Sequence, residues 1–176
     1  AKASDNIGNG IYITSDGQVS ITKGLANDNS YTGLSIYNTS SGIEAGITLN
    51  TVVADGNLES GSARGMRLIS MGPISINTGF SNRNRLGGVE VNNSASTKFA
   101  GVTINGLTIQ DNLGSWPGLS IETTGVVNLT NIVSTGNGIG SSAAGIEVDN
   151  CQDSSMICAK NANVTLSGTL NQFSNN

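Results

Sequence analysis

Six times along this sequence a glycine opens a short run of alternating apolar residues, and a second such run follows at a set distance. The first set begins at Gly10 (Ile-Tyr-Ile), Gly33 (Leu-Ser-Ile), Gly65 (Met-Arg-Leu), Gly88 (Val-Glu-Val), Gly118 (Leu-Ser-Ile) and Gly145 (Ile-Glu-Val). The second begins at Val19, Ile47, Ile74, Val102, Val127 and Val164, at offsets of 9, 14, 9, 14, 9 and 19 residues. Repeats of 23 to 32 residues made only of such runs mark a solenoid. The period of two places Ile11 with Ile13, and Leu119 with Ile121, on a strand face that must turn inward. A helical reading fails, because Gly or Asn interrupts every window in which apolar residues would have to recur at i, i+3, i+4 and i+7.

Comparing alternate glycines sharpens the unit. Gly10 to Gly65 and Gly33 to Gly88 are both 55 residues, Gly65 to Gly118 is 53 and Gly88 to Gly145 is 57. Short and long offsets alternate with the same rhythm, so the repeat is a two-coil module of about 55 residues, present three times. The expected fold is all-β: a parallel β-helix of about six coils of three short strands each, one segment over residues 1–176. The third strand of each coil is expected beyond a two-residue corner. Leu34, Ile36, Leu49, Leu68, Ile76, Val91, Ile104, Leu119, Ile121, Leu129 and Ile146 are expected to form a continuous internal stack.

Two polar columns accompany the apolar ones. Thr22, Asn50, Asn77, Asn105, Thr130 and Ser167 come directly after the second run's last apolar residue. Eight residues after that same apolar residue stand Asn29, Asn57, Asn84, Asn112 and Asn137, with Asn175 one place late in the sixth coil. Asparagine tolerates left-handed backbone and bonds neighbouring main chain, which suits tight corners. Stacked at strand spacing, its amides can also bond one another up the column.

Composition removes several function classes. Disorder needs low hydrophobicity with high net charge, whereas this chain has a net charge of −4 and regularly placed Ile, Val and Leu. Its eight basic residues are scattered from Lys2 to Lys160, and nucleic-acid binding needs them clustered. No apolar stretch approaches the ~20 residues of a membrane span. The opening Ala1-Lys2-Ala3-Ser4 is expected to belong to a processed or excised piece of a longer chain.

Phrases such as Gly118-Leu-Ser-Ile-Glu-Thr-Thr-Gly and Asn163-Val-Thr-Leu-Ser-Gly-Thr-Leu, with the glycine-led strands and Asn columns, carry a family likeness. Over nearly its whole length the chain resembles right-handed parallel β-helices of the pectin-lyase-like kind. More narrowly, it is similar to the Asn-, Gly- and Thr-rich repeats of large secreted bacterial exoproteins, filamentous-haemagglutinin-like or adhesin-like. The resemblance implies right-handed coiling, in line with the general hand of parallel crossovers, and a secreted or cell-surface location.

Candidate chemistry is sparse. Histidine is absent, which excludes imidazole bases and His-ligated metal. Pectin-lyase-like relatives include polysaccharide lyases and hydrolases that place acids on adjacent coils, so the outward positions of the first strand matter. Two residues after each glycine these are Tyr12, Ser35, Arg67, Glu90, Ser120 and Glu147. Four after, they are Thr14, Tyr37, Ile69, Asn92, Glu122 and Asp149. Stacking should set Glu122 beside Asp149 and Arg67 beside Glu90. Such acids could hold Ca²⁺ or act as a carboxylate pair, but a solvated sheet face is the preferred reading. No catalytic, cofactor or metal residue is assigned, and the chain is read as not an enzyme. Cys151 and Cys158, in the longest insertion, are expected to form a local disulfide, which implies an oxidising compartment.

The leading expectation is a structural or adhesive segment giving a stiff rod or filament. Its expected partners are further β-helix coils stacked end to end, from a longer parent or a neighbouring copy, together with glycans or a cell surface. The alternative is a polysaccharide-active or glycan-binding β-helix that uses the acidic sheet face. Ice binding through outward Thr, Ser and Asn is disfavoured, because the first-strand rows are interrupted by Tyr, Arg, Glu and Ile.

Overall fold

The computed structural model describes residues 1–39, 44–138, 144–151 and 162–176. Within them the chain is an all-β parallel solenoid with no helix. Its strands are β1 (Ile11–Thr14), β2 (Val19–Leu25), β3 (Leu34–Asn38), β4 (Ile47–Val53), β5 (Arg64–Ser70), β6 (Ile74–Asn82) and β7 (Gly87–Asn92). They continue as β8 (Val102–Gln110), β9 (Leu119–Glu122), β10 (Val127–Thr135), β11 (Ile146–Asp149), β12 (Val164–Ser167) and β13 (Gln172–Ser174). Odd-numbered strands build a first sheet in the order β1-β3-β5-β7-β9-β11. Even-numbered strands build a second, in the order β2-β4-β6-β8-β10-β12, and β13 also pairs with β10. The second-run residues stay in register, as Val19↔Ile47↔Ile74↔Val102↔Val127↔Val164.

In β2, β4, β6, β8 and β10 the expected third strand is continuous with the second, whereas after β12 it is separate, as β13. In β6 the ladder passes through Thr78, at φ 62°, and continues to Asn82. Lys23, Thr51, Gly106, Asn131 and Gly168 hold positive φ at the same place. One left-handed residue thus bends the strand where a two-residue corner was expected.

Between the inward faces lies a dry stack of Leu, Ile and Val. Every residue of the expected core is buried except Ile146, which packs half-buried against the stack near its C-terminal end. The segment before Gly10 also belongs to the solenoid. Lys2 bridges Leu25 in parallel, and Asp5, at φ 59°, donates its N–H to Asn27 O.

The corner from the second sheet to the first is held by a buried amide column. Each asparagine donates its backbone N–H and its Nδ2 to the next Oδ1. The distances are 3.0 and 3.0 Å for Asn29 to Asn57, and 3.1 and 2.8 Å for Asn57 to Asn84. They are 2.9 and 3.0 Å for Asn84 to Asn112, and 3.3 and 2.7 Å for Asn112 to Asn137. The remaining Nδ2 hydrogen turns back to a carbonyl, as in Asn84 to Ala54 O and Asn112 to Ser81 O, both 3.0 Å. Asn6 extends the column at one end and Asn176 at the other. The last rung is therefore Asn176, not Asn175. Leu129 and Val133 pair with Leu166 and Gln172, so the last coil carries two extra residues before its rung. Asn175 is instead the left-handed residue that precedes it, at φ 53°, matching Asp28, Gly56, Arg83, Asp111 and Gly136.

This column explains the glycines. A Cβ at Gly65 would lie 2.7 Å from Asn84 Nδ2, and one at Gly118 would lie 2.8 Å from Asn137 Nδ2. The column's amides crowd the same space at Gly10, Gly33 and Gly145, whereas at Gly88 Ile109 Cγ2 and the Gly118 carbonyl are the nearer obstacles.

Five residues after the glycine, two kinds of brace alternate. Ser15, Ser70 and Thr123 accept from the N–H of Gly17, Gly72 and Gly125, closing compact turns at 3.1, 3.0 and 3.1 Å. Asn38, Asn93 and Asn150 instead donate Nδ2 to the far side of longer loops, at Ala45 O (2.7 Å), Ala100 O (2.8 Å) and Ala162 O (3.2 Å).

Candidate functional site

The outer face of the first sheet carries a cluster of aromatic and ionic groups. Register sets Tyr12, Ser35, Arg67, Glu90, Ser120 and Glu147 in one column. The neighbouring column places Glu122 beside Asp149. Glu90 Oε2 lies 3.1 Å from Arg67 Nε and 2.9 Å from Arg64 Nε. Arg64 was not singled out from the sequence. It stands one residue before its glycine, where no strand face is assigned in advance, yet Trp116 covers its guanidinium at 4.3 Å. Burial pulls the Arg64 pKa below its usual value, and the Glu90 charge opposes that pull. Arg67 donates to Tyr37 Oη at 2.8 Å, and Tyr37 packs against Tyr12 with ring centroids 5.7 Å apart.

Two shallow concavities flank this centre. One, of about 200 Å³, is lined by Tyr12, Tyr31, Tyr37, Arg64 and Arg67, with Asn and Ser/Thr groups at its edge. The other, of about 230 Å³, is lined by Trp116, Pro117, Ser120, Glu122 and Glu147. Arg67 therefore opens into one hollow and Glu122 into the other, with the Arg64–Glu90 pair between them. Burial raises the Glu122 pKa, and the charges of Glu90, Asp149 and Glu147 add to the rise. Its carboxylate also accepts from Asn92 Nδ2. Among the described residues, no three acids or cysteines gather closely enough to hold a metal ion.

The second sheet presents a different outer face. One outward column is Ser20, Thr48, Ser75, Thr103, Asn128 and Thr165. The other is Thr22, Asn50, Asn77, Asn105, Thr130 and Ser167. The latter column lies within the strands, half-buried to exposed, and not beyond their ends. Asn77 Nδ2 donates to Asn50 Oδ1 at 3.0 Å, and the Thr130 and Ser167 hydroxyls pair at 2.9 Å. Asn105 is exposed. Reading only first-strand positions for a regular polar array missed this face.

On the flank, Glu44 of one long loop accepts from Thr97 of another, N–H at 3.0 Å and Oγ1 at 2.6 Å. That hydroxyl bond holds the Glu44 carboxyl below its ordinary pKa. Cys151 donates its N–H to Asp149 Oδ1 at 3.1 Å, while Cys158 lies outside the described residues. Comparison with family models, curated proteins and solved structures returns no match.

Proposed function

We propose that the chain is a structural or adhesive β-solenoid segment of a secreted or cell-surface protein, a stiff right-handed rod. The observation that carries this reading is the amide column from Asn6 to Asn176, buried from Asn29 to Asn137, which ties neighbouring coils together through side chains as well as main chain. We count six coils in three two-coil modules of about 55 residues, supported by the alternation of Ser/Thr and Asn braces at Ser15, Asn38, Ser70, Asn93, Thr123 and Asn150. At a strand spacing of about 4.8 Å the rod is roughly 29 Å long. Further coils of the same or a neighbouring chain would continue it end to end. Exposed Leu166 and Phe173, beside an apolar hollow of about 410 Å³, support such covering at one end, because uncovered strand edges pair readily with added strands. A Cys151–Cys158 disulfide would staple the longest loop. Fluorescently labelled chain should bind cell surfaces saturably; failure to bind any surface tested would overturn the adhesive role.

A second reading, glycan binding or polysaccharide processing, is favoured by the aromatic-lined hollows on either side of Glu90. Rings give sugars an apolar stacking surface while flanking charges fix orientation. Binding of soluble polysaccharide that is lost in Trp116→Ala would favour this reading over the first.

A further inference from the structure

We propose that the outer face of the second sheet is an ice-binding surface, its two columns of Ser, Thr and Asn engaging the ordered water of a crystal. The proposal goes beyond the rod reading and does not depend on it. Its first support is neutrality. The chain has 20 charged residues, and the register places none at the twelve outward positions of this face. The first sheet's outer face, by contrast, carries Arg67, Glu90, Glu122, Glu147 and Asp149.

The second support is two-dimensional order. Partners repeat at about 4.8 Å from strand to strand, and the two columns stand about 6.7 Å apart along each strand. Both distances are close to oxygen repeats on faces of hexagonal ice. The ladder from Val19↔Ile47 and Ile21↔Leu49 to Val127↔Val164 and Leu129↔Leu166 holds one register across all of its strands, so the array does not slip. Inward Ile21, Leu49, Ile76, Ile104 and Leu129 are packed in the core and fix the backbone beneath the array. Threonine side chains, branched at Cβ, have few rotamers to lose. Hydroxyl and amide groups bond water about as well as water bonds itself, and ordered first-layer water costs little when it is already positioned. A formal charge would instead impose its own hydration shell and break the lattice.

The face also lacks what other partners need. Tight protein interfaces centre on Trp, Tyr or Arg anchors, and sugar-binding surfaces use aromatic rings. Here Tyr12, Tyr37 and Trp116 all belong to the first sheet's side, and the exposed Phe80 of β6 and Phe173 of β13 lie past the left-handed bend, outside the two columns. A neutral array whose two columns hold no ring fits an extended neutral lattice.

The test is nanolitre osmometry on the whole 176-residue chain, reading crystal shape and the gap between melting and freezing points in ice. The wild type is expected to facet the crystal and open a gap. Thr103→Lys and Asn128→Tyr, both at exposed positions of the array, should lose it, while exposed Leu113→Lys, off this face, should keep it. Circular dichroism separates loss of binding from loss of fold, and Asn128→Tyr decides if Thr103→Lys does not fold. Round crystals with no gap in the wild type would overturn the proposal. So would array variants as active as the wild type, or a chain that sediments with microcrystalline cellulose but leaves ice unaltered.

Discussion

Replacing Asn84 with alanine probes the corner column where it is driest. Asn84 is 0% exposed. Its Oδ1 accepts from Asn57 N–H at 3.1 Å and Asn57 Nδ2 at 2.8 Å, and its Nδ2 donates to Ala54 O at 3.0 Å. Truncation strands two donors and one acceptor at once. Each buried orphan costs about 1–3 kcal/mol, so the loss should reach about 3–6 kcal/mol even if one water enters the space. That is a large share of the about 5–15 kcal/mol that holds an ordinary domain together. Asn77→Ala is the matched control. Asn77 bonds Asn50 through the same chemistry at 3.0 Å, but on the half-exposed outer face. Water replaces that bond, and the loss should stay below about 1 kcal/mol. Urea titration followed by far-ultraviolet circular dichroism gives both values from midpoint and slope. Equal losses in the two variants would refute the argument that the column stabilises by being dry.

Other consequences follow from the same geometry. Gly118→Ala should destabilise by about 1–3 kcal/mol, because its Cβ would sit 2.8 Å from both Asn137 Nδ2 and the Gly145 carbonyl; thermal melts measure it. Thr78→Asn should stabilise by about 1 kcal/mol, since Thr78 is β-branched at φ 62° in a column where Asn131 already occurs. Ile121→Ala, in the centre of the buried stack, should cost about 2–5 kcal/mol. Glu122 has a raised folded-state pKa, so the folded chain holds its proton more tightly than the unfolded chain does. Stability should therefore fall as pH rises from the ordinary carboxylate value, about 4.3, through the raised one, and Glu122→Gln should flatten that part of the profile.

The alternation of apolar residues made the sheets and most of the core legible, because a two-residue period admits only one inward face. Register followed from the glycines: Arg67 beside Glu90 and Glu122 beside Asp149 stand where the spacing put them. What eluded the sequence depended on three-dimensional closeness. Asn6 shares its motif, a left-handed residue followed by Asn, with Asp28-Asn29 and Asp111-Asn112. It precedes the first of the second runs, so an offset counted from those runs could not reach it. Asn176 was displaced by two inserted residues that only strand pairing reveals. Arg64 and Trp116 are 52 residues apart, and nothing local joins them before the coils stack. The second sheet's outer face was legible in principle, since Ser20-Ile-Thr22 and Thr103-Ile-Asn105 alternate as regularly as the core does.

A buried, mutually bonded asparagine column locks coil to coil, and side-chain amide hydrogen exchange tests this most directly. Nδ2 protons of Asn57, Asn84 and Asn112 donate to the next rung or to a carbonyl and are sealed from water. They should exchange as slowly as the backbone amides of β6 and β8, requiring opening of the fold. Exchange as fast as that of exposed Asn105 would contradict the account.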